Sequence, residues 1–496
     1  MSNKGQTTVF FSLIISVLLL LTFTALEVTR IRMSRVKAMA SVHSMRSNVM
    51  ADYNRELFER YHLLFMDPTY GTGSYAALEE RITDYLEVTL NGRDVDSGIY
   101  RFSIGDLAVV EPQNILDEKM QQVKKQIIDY EKTAGVVNHV LELTEKAKQG
   151  ADNISDAVSE TENNGVEMDL PQKEDNESSD TDSATEEGKE STVEVTDPRE
   201  ELKKALSVGV LEFVLPGNTV SKEERSFSEA PSAQYSEQYT EEIPLDFQDI
   251  SIFKNYLTQQ KESDYDGLTK RAAYVDYVIT QFSNAVEQRE DSALPCEVEY
   301  ILKGKSNDYE NLEAVVYEIV SMRLPVNYAY LLTDTEKKSE ALTLAAAICT
   351  ASGTTPLIEV VKYLLLGCWS YGETLYEMRQ LLSGEQIPYV KTAVNWQTDL
   401  KSLAGTGAPQ RVTEGLSYKE YLQLLLAKRS GNRLNGCYAR MLDIIQENVK
   451  QSTPEFRISD CVGGMTIQGE IGVNEVYFSG ASPDIYKFYF EEEFSY

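Results

Sequence analysis

Histidine and cysteine, the residues that most often build metal and nucleophilic sites, are scarce in this sequence. Its 496 residues include three histidines, at His43, His62 and His139, and five cysteines. The cysteines are odd in number and scattered, with no CxxC pair, so neither a zinc ribbon nor a disulfide framework is indicated. No HExxH, P-loop or GxSxG pattern occurs. We therefore expect no catalytic residue, no metal and no cofactor, and we do not classify the chain as an enzyme.

Positive charge is also in short supply. Lysine and arginine number 47 against 79 aspartates and glutamates, which gives a formal net charge of −32. A field of that sign repels phosphate backbones, so nucleic acid is excluded as an expected partner.

Glycine and proline are absent from Gln6 to Asp67. Without a helix breaker, this stretch is predicted to form one continuous helix of roughly 90 Å at about 1.5 Å per residue. Its first part, from Val9 to Leu26, carries no charge and is long enough to cross a bilayer. The predicted membrane-anchor residues are Val9, Phe10, Phe11, Leu13, Ile14, Ile15, Val17, Leu18, Leu19, Leu20, Leu21, Phe23 and Leu26.

Two features of this helix allow alternatives. A secretory signal peptide would end in a small-x-small cleavage site, which the residues before Glu27 lack, so an uncleaved anchor is favoured. Beyond the anchor, apolar steps of three and four predict a stalk that packs either on its own head domain or on copies of itself. The residues of that predicted face are Val36, Met39, His43, Met50, Tyr53, Leu57, Tyr61 and Leu64.

Changes in composition divide the rest of the chain. Between Ala151 and Glu200 there are 17 acidic and 3 basic residues, a net of −14, with few bulky apolar residues. Such a segment cannot offset its chain entropy by burial and is expected to be disordered. The predicted divisions are an anchor and stalk (1–67), a small α+β segment with a long helix (68–150), an acidic linker (151–197), a mainly helical domain (198–455) and a C-terminal β segment (456–496).

The fold class is predicted to be α+β, with a mainly helical soluble part and one antiparallel sheet. That sheet is expected to join the C-terminal strands to strands near 99–110. The apolar runs Ala341–Cys349 and Leu357–Trp369 are too short or too charged to span a membrane and are predicted to be buried core helices. Cys349 and Cys368 lie in these runs, where a small buried side chain is the expected role. The predicted helices are Leu268–Glu287, Tyr309–Met322, Thr335–Ala351, Pro356–Leu382 and Ser417–Val449, and the predicted strands are Gly98–Ile104, Leu107–Val110, Glu297–Leu302, Phe456–Asp460, Met465–Ile471 and Tyr486–Phe494.

The N-terminus resembles the TadE/TadG-like proteins, pilin-like components of tight-adherence (Tad) pili. The matching residues are Lys4-Gly5, Gln6-Thr7-Thr8, Val9-Phe10-Phe11 and the apolar run that ends in Leu26-Glu27-Val28-Thr29-Arg30. Glu27 and Arg30 stand at the Tad-like motif, and the resemblance implies a candidate processing site at Gly5 and Gln6. Phe10 departs from the pattern, because it occupies the position of the pilin-type glutamate.

Three further blocks resemble an uncharacterised membrane-protein family found beside Tad-type pilus components in Gram-positive bacteria. They are Val298–Lys305, Lys391–Gln397 and Gly415–Leu422. This family has no assigned activity, so the resemblance implies a context and not a reaction.

From these observations we expect a single-pass cell-membrane protein that acts through protein contacts as a structural or assembly component of a Tad-like pilus or secretion system. Its expected partners are the membrane, other Tad-like components, or itself through the stalk helix. The alternative is a membrane-anchored sensory or ligand-binding ectodomain. Arg30, Arg32, Arg35 and Lys37 follow the anchor, which by the positive-inside rule favours a cytoplasmic C-terminal part. The Tad-like resemblance implies an exported one, and an extracellular C-terminal part is the expectation.

Overall fold

The computed structural model describes residues 4–92, 100–134, 142, 209–215, 220–225, 230–235, 265–400, 415–474 and 485–496. The predicted acidic linker lies outside these ranges. The chain divides into two compact units. We call Met1–Tyr130 with Leu442–Tyr496 the sheet unit, and Glu131–Met441 the helical unit.

Helices dominate the described residues, and three strands form one sheet. The α-helices are α1 (Lys4–Met50), α2 (Arg55–Tyr61), α3 (Ala76–Asn91), α4 (Asp117–Ala134), α5 (Val210–Val214), α6 (Tyr265–Gln281), α7 (Glu297–Lys303), α8 (Asp308–Thr333), α9 (Thr335–Ala351), α10 (Ile358–Leu382), α11 (Tyr418–Ala427) and α12 (Gly431–Lys450). The strands are β1 (Phe102–Asn114), β2 (Val462–Asn474) and β3 (Ile485–Ser495).

The sheet unit is built around β2, which pairs antiparallel with β1 on one side and β3 on the other. Ile104 lies opposite Ile471, and Met465 lies opposite Phe494. Along β2 the apolar side chains alternate, as a strand with one buried face requires. The predicted α+β class, with an antiparallel sheet that includes the C-terminal strands, is confirmed.

The core of the sheet unit lies between this sheet, α1 and α3. Four consecutive turns of α1 contribute to it, which shows that the second half of the long helix packs on its own domain. The buried members are Ala38, Val42, Met45 and Val49 from α1, Leu78, Ile82, Leu86 and Leu90 from α3, and Met465, Ile467, Ile471, Val473, Phe490 and Phe494 from the sheet.

The prediction of one continuous helix from Gln6 to Asp67 was wrong in its last quarter. α1 ends at Met50, and Asn54 then starts α2 because its side chain accepts a hydrogen bond from Leu57 N at 3.1 Å. The predicted apolar face was also displaced, since Val36 is 66% exposed whereas Ala38 and Val42 are buried. The helix is therefore interrupted between Met50 and Asn54 although this stretch contains no glycine or proline.

The segment Glu297–Leu302 is helical and not the predicted strand. Its alternation of glutamate and apolar residues has no solvent face, because both glutamates are buried. Their carboxylates accept the backbone N–H groups of Ser283 at 2.8 Å and Ala285 at 3.0 Å. The loop before the helix therefore supplies hydrogen-bond donors to two glutamates that the alternating pattern had placed in solvent.

Two further strand predictions and the predicted burial of one helical hairpin also differ from the structure. The two early strands form one strand with a register shift between Ile104 and Leu107, and Phe456–Asp460 contains a 3-10 turn at Ile458–Asp460 instead of a strand. The hairpin of α9 and α10 is buried only along its inner face, with Leu342 at 38% and Leu357 at 42% exposure. The tip of this hairpin is therefore not a buried core.

Candidate functional site

The first half of α1 is an apolar helix whose side chains are exposed in the described part of the chain. All thirteen predicted anchor residues are exposed, from 41% at Phe23 to 66% at Leu21. Among the described residues, Thr7–Met50 is the one helix long and apolar enough to cross a membrane, with a mean hydropathy of 2.6 in its most apolar window. The candidate processing residues Gly5 and Gln6 lie in its first turn.

Hydroxyl groups in this half of the helix are satisfied by the helix itself. Ser16 Oγ donates to Ser12 O at 2.8 Å, and Thr24 Oγ1 donates to Leu20 O at 2.6 Å. Internal hydrogen bonding of this kind removes the cost of placing a hydroxyl in hydrocarbon. Ser12 and Thr22 show the same arrangement.

Burial of one face of α1 begins at Glu27 and Arg30, the two residues of the Tad-like motif. Each is only 4% exposed. Their side chains form a bidentate ion pair, with Arg30 Nη2 to Glu27 Oε1 at 2.5 Å and Arg30 Nε to Glu27 Oε2 at 3.1 Å. Arg30 Nη2 also donates to the Asn474 carbonyl at 2.5 Å. We call Glu27, Arg30 and Asn474 the anchor clamp, because it joins the helix to the last residue of β2.

Further contacts fix α1 along the sheet unit. Lys37 Nζ donates to Leu90 O at 2.5 Å and lies 5.4 Å from the centre of the Phe102 ring. At the far end of the helix, Tyr496 Oη donates to Met50 O at 3.0 Å. The helix is thus held by polar contacts at its exit from the apolar segment and at its C-terminus, with core packing between them.

A second group of functional interest is a buried ionic network in the helical unit. Arg323 donates to Glu377 through Nε at 2.9 Å and Nη2 at 2.7 Å, while Lys391 Nζ lies 2.6 Å from Glu373 Oε1 and 2.8 Å from Glu377 Oε1. These four side chains are at most 2% exposed. Burial alone would raise the pKa of Glu377, but Arg323 and Lys391 outweigh it and lower that pKa to about 2.

This network holds a loop and has little capacity for proton transfer. Besides Lys391, Glu373 accepts the backbone N–H groups of Gln397 at 3.1 Å and Thr398 at 2.9 Å. The two tryptophans of the chain, Trp369 and Trp396, both donate to Thr398 O, at 3.2 and 3.0 Å. Two carboxylates and two cations balance, and the carboxylate oxygens are engaged by donors, so the arrangement fixes residues 391–398 against α8 and α10.

Two buried carboxyl groups of the helical unit do respond to protons near neutrality. Burial raises the pKa of Glu299 to about 7, although Ala285 N and Tyr418 Oη donate to it. Burial and the neighbouring Asp276 raise the pKa of Glu131 to about 7 as well. These two groups make the stability of the helical unit depend on pH. Among the described residues, no three histidine, cysteine, aspartate or glutamate side chains converge as a metal site.

Sequence reasoning singled out the apolar run, Glu27 and Arg30, but it missed the contact with Asn474 and the whole buried network. Asn474 accepts the hydrogen bond of Arg30 through its backbone carbonyl, so its side chain gives no signal in the sequence. Arg323, Glu373 and Glu377 lie on separate turns of two helices, and their charges look like ordinary surface charges in the sequence. The block Lys391–Gln397 was recognised only as part of a family resemblance, and its role in the buried network was not predicted.

The comparisons with known proteins identify one family. A model described as a family of unknown function (DUF5702) matches residues 186–473, more than half of the chain. No curated protein and no solved structure matches.

Proposed function

The chain belongs to this family of unknown function, and we propose that it is a single-pass membrane protein whose soluble units are exported and act through protein contacts. We further propose that it serves as a structural or assembly component of a Tad-like pilus or secretion system. The exposed apolar half of α1 supports the proposed anchor, and the resemblance of residues 4–30 supports the proposed Tad-like context.

The observation that carries the anchor is the change in exposure along one uninterrupted helix. From Thr7 to Leu26 the side chains are exposed, and from Glu27 onward one face is buried on the sheet unit. The exposed part has about 20 residues, which at about 1.5 Å per residue equals the roughly 30 Å hydrocarbon thickness of a bilayer. A soluble protein would leave this apolar surface in water.

The anchor clamp also bears on orientation. Four cationic residues follow the apolar segment, and by number they favour a cytoplasmic C-terminal part. Arg30 is neutralised by Glu27 three residues earlier, a pair that forms within the helix itself. Arg32, Arg35 and Lys37 remain beyond this pair, so the charge count still favours a cytoplasmic C-terminal part, and the proposal of export rests on the Tad-like resemblance.

Membrane fractionation and protease accessibility in intact cells test this proposal. The full-length protein should stay in the membrane fraction after alkaline carbonate washing and should be cut by an added protease before the cells are lysed. A matched variant with Leu18→Arg and Leu19→Arg should leave the membrane fraction. Complete protection from the protease would overturn export, and release of the wild type by carbonate would overturn the anchor.

The pilus context has its own test. Deletion of the gene should reduce surface piliation, and expression of the wild type should restore it. The anchor variant should fail to restore it at equal protein level. Unchanged pili in the deletion strain would refute the assembly role and leave the membrane anchor as a separate conclusion.

A further inference from the structure

The end of the α9–α10 hairpin combines exposed apolar side chains with a complete lack of charge. Residues 341–358, which we call the hairpin tip, contain no aspartate, glutamate, lysine, arginine or histidine. Charged residues make up 25% of the chain, so a stretch of this length would be expected to carry about four. An uncharged run of at least this length occurs at one other place, in the apolar half of α1. The hairpin tip therefore shares a rare feature of composition with the proposed anchor.

The outer face of the hairpin presents large apolar side chains. Leu342 on α9 is 38% exposed, Leu357 at the turn is 42% exposed, and Leu364 on α10 is 38% exposed. On the inner face, Ala345 and Cys349 are fully buried in the core of the hairpin. The packing of the inner face thus holds the outer leucines in place as a surface, and an exposed apolar surface of this kind marks a contact site.

Polar groups of the hairpin tip are bonded within the hairpin itself. The hydroxyl groups of Thr343 and Thr350 each donate to the carbonyl four residues earlier, at 2.9 and 2.7 Å. In the turn, the backbone N–H of Thr354 donates to Cys349 O at 2.8 Å. Hydroxyl groups in the apolar half of α1 are bonded in the same way. Groups bonded like this lose little when the surface around them passes from water into hydrocarbon.

The uncharged part of the hairpin is too short to cross a bilayer. Its α9 arm, residues 341–351, is about 16 Å long at 1.5 Å per residue, roughly half of the 30 Å hydrocarbon thickness. Charged residues return at Glu340 and Glu359, and Glu359 forms an ion pair with Lys362. These dimensions fit insertion to the boundary between head groups and acyl chains, with the charged residues left in water.

We propose that the hairpin tip inserts into the surface of a lipid bilayer and forms a second membrane contact of the chain. The hairpin tip has no charge to pair with a protein partner or with a lipid head group, so the acyl chains are the environment that it matches. Neutral lipid is therefore sufficient for the contact. This inference rests on the proposed anchor, which brings the chain to a bilayer.

Tryptophan fluorescence of the full-length protein in phosphatidylcholine nanodiscs tests the contact. The decisive variant is Leu357→Trp, measured with and without bromine atoms on the acyl chains, which quench tryptophan that touches them. The variant should lose most of the emission that it adds to that of Trp369 and Trp396, which every variant retains. Val394→Trp is the matched control, because Val394 is 86% exposed in the loop that the buried network holds, and its emission should not respond to bromine.

A second position keeps the test independent of any one substitution. Leu342 lies nine residues before the end of α9, about 14 Å from the turn, so Leu342→Trp should be quenched less than Leu357→Trp. Both leucines are partly exposed, and the two variants should melt at the temperature of the wild type. A graded response of this kind would support insertion from the turn inward.

Unchanged emission of both tip variants on bromination would overturn the proposal, and so would equal quenching of Leu357→Trp and Val394→Trp. Emission that depends on protein concentration and not on bromine would show that a second copy covers the hairpin tip, which would also refute insertion. Incorporation of the wild type into nanodiscs reports the anchor separately. Failure of the anchor would therefore be distinct from failure of the hairpin contact.

Discussion

Replacement of Lys391 by methionine isolates the energetic role of the buried network. The Lys391 ammonium lies 2.6 Å from one carboxylate and 2.8 Å from the other, and the side chain is 1% exposed. At an effective dielectric constant of about 20, each contact corresponds to roughly 6 kcal/mol of Coulomb attraction. The desolvation of the ammonium offsets part of that sum, so we expect Lys391→Met to lower the free energy of unfolding by about 3–5 kcal/mol at pH 8.

Loss of packing alone would destabilise Lys391→Met equally at pH 8 and pH 5. Loss of the ion pairs should instead make the stability penalty depend on pH. In the wild type the pKa of Glu377 is lowered to about 2, so its contribution is present above the unfolded pKa and is lost as the pH falls through about 2. In Lys391→Met two buried carboxylates remain with one buried cation, Arg323, which contacts Glu377, and the pair is expected to take up a proton. The penalty in the variant should then shrink by about 1 kcal/mol or more between pH 8 and pH 5.

Tryptophan fluorescence during urea unfolding is the appropriate assay, because both tryptophans of the chain contact Thr398 in this region. Lys419→Met is the matched control: its ion pair with Glu287 at 3.4 Å is exposed and should contribute less than about 1 kcal/mol. A loss below about 1 kcal/mol for Lys391→Met at pH 8, or an equal loss at pH 5 and pH 8, would refute the reasoning.

Two further predictions concern the anchor clamp and Glu299. Arg30→Gln leaves Glu27 buried without its cation and should destabilise the sheet unit by about 3 kcal/mol in urea unfolding, and Glu27→Gln combined with it should recover much of that loss. A double variant no more stable than the single one would contradict the ion pair. Because the raised pKa of Glu299 makes wild-type stability fall as the pH rises from its unfolded value through about 7, Glu299→Gln should stabilise the protein by about 1–3 kcal/mol at pH 8 and by little at pH 5. If wild type and Glu299→Gln had identical unfolding midpoints at pH 5 and at pH 8, the result would contradict a buried charge at Glu299.

The sequence predicts those helices and strands whose local residue pattern is compatible with only one or two structural environments. An uncharged run of about 20 residues has few alternatives to a membrane helix or a core helix. The alternation in β2 likewise appears because one face of the strand is buried. The helix Thr335–Ala351 was predicted at its observed bounds, since Asp334 caps its first turn and Ser352-Gly353 follows its end.

The errors occurred where polar partners lie far away in the sequence. Glu297 and Glu299 appeared to be the solvent face of a strand, but a loop 14 residues earlier supplies their hydrogen bonds. Arg323 and Glu377 are 54 residues apart, and neither is flanked by a signal of burial. Their partners become apparent only when the helices that carry them are packed together.

The two alternatives for the stalk face can now be separated along α1. The face that includes Ala38, Val42 and Met45 is occupied by the sheet unit and is closed to other copies of the chain. Outside that face, Val28 is 47%, Met33 56% and Val36 66% exposed, just beyond the apolar segment. A partner helix that continues from the bilayer would meet these side chains first. Under the proposed anchor, self-association or assembly through α1 would use the apolar first half of the helix together with Val28, Met33 and Val36.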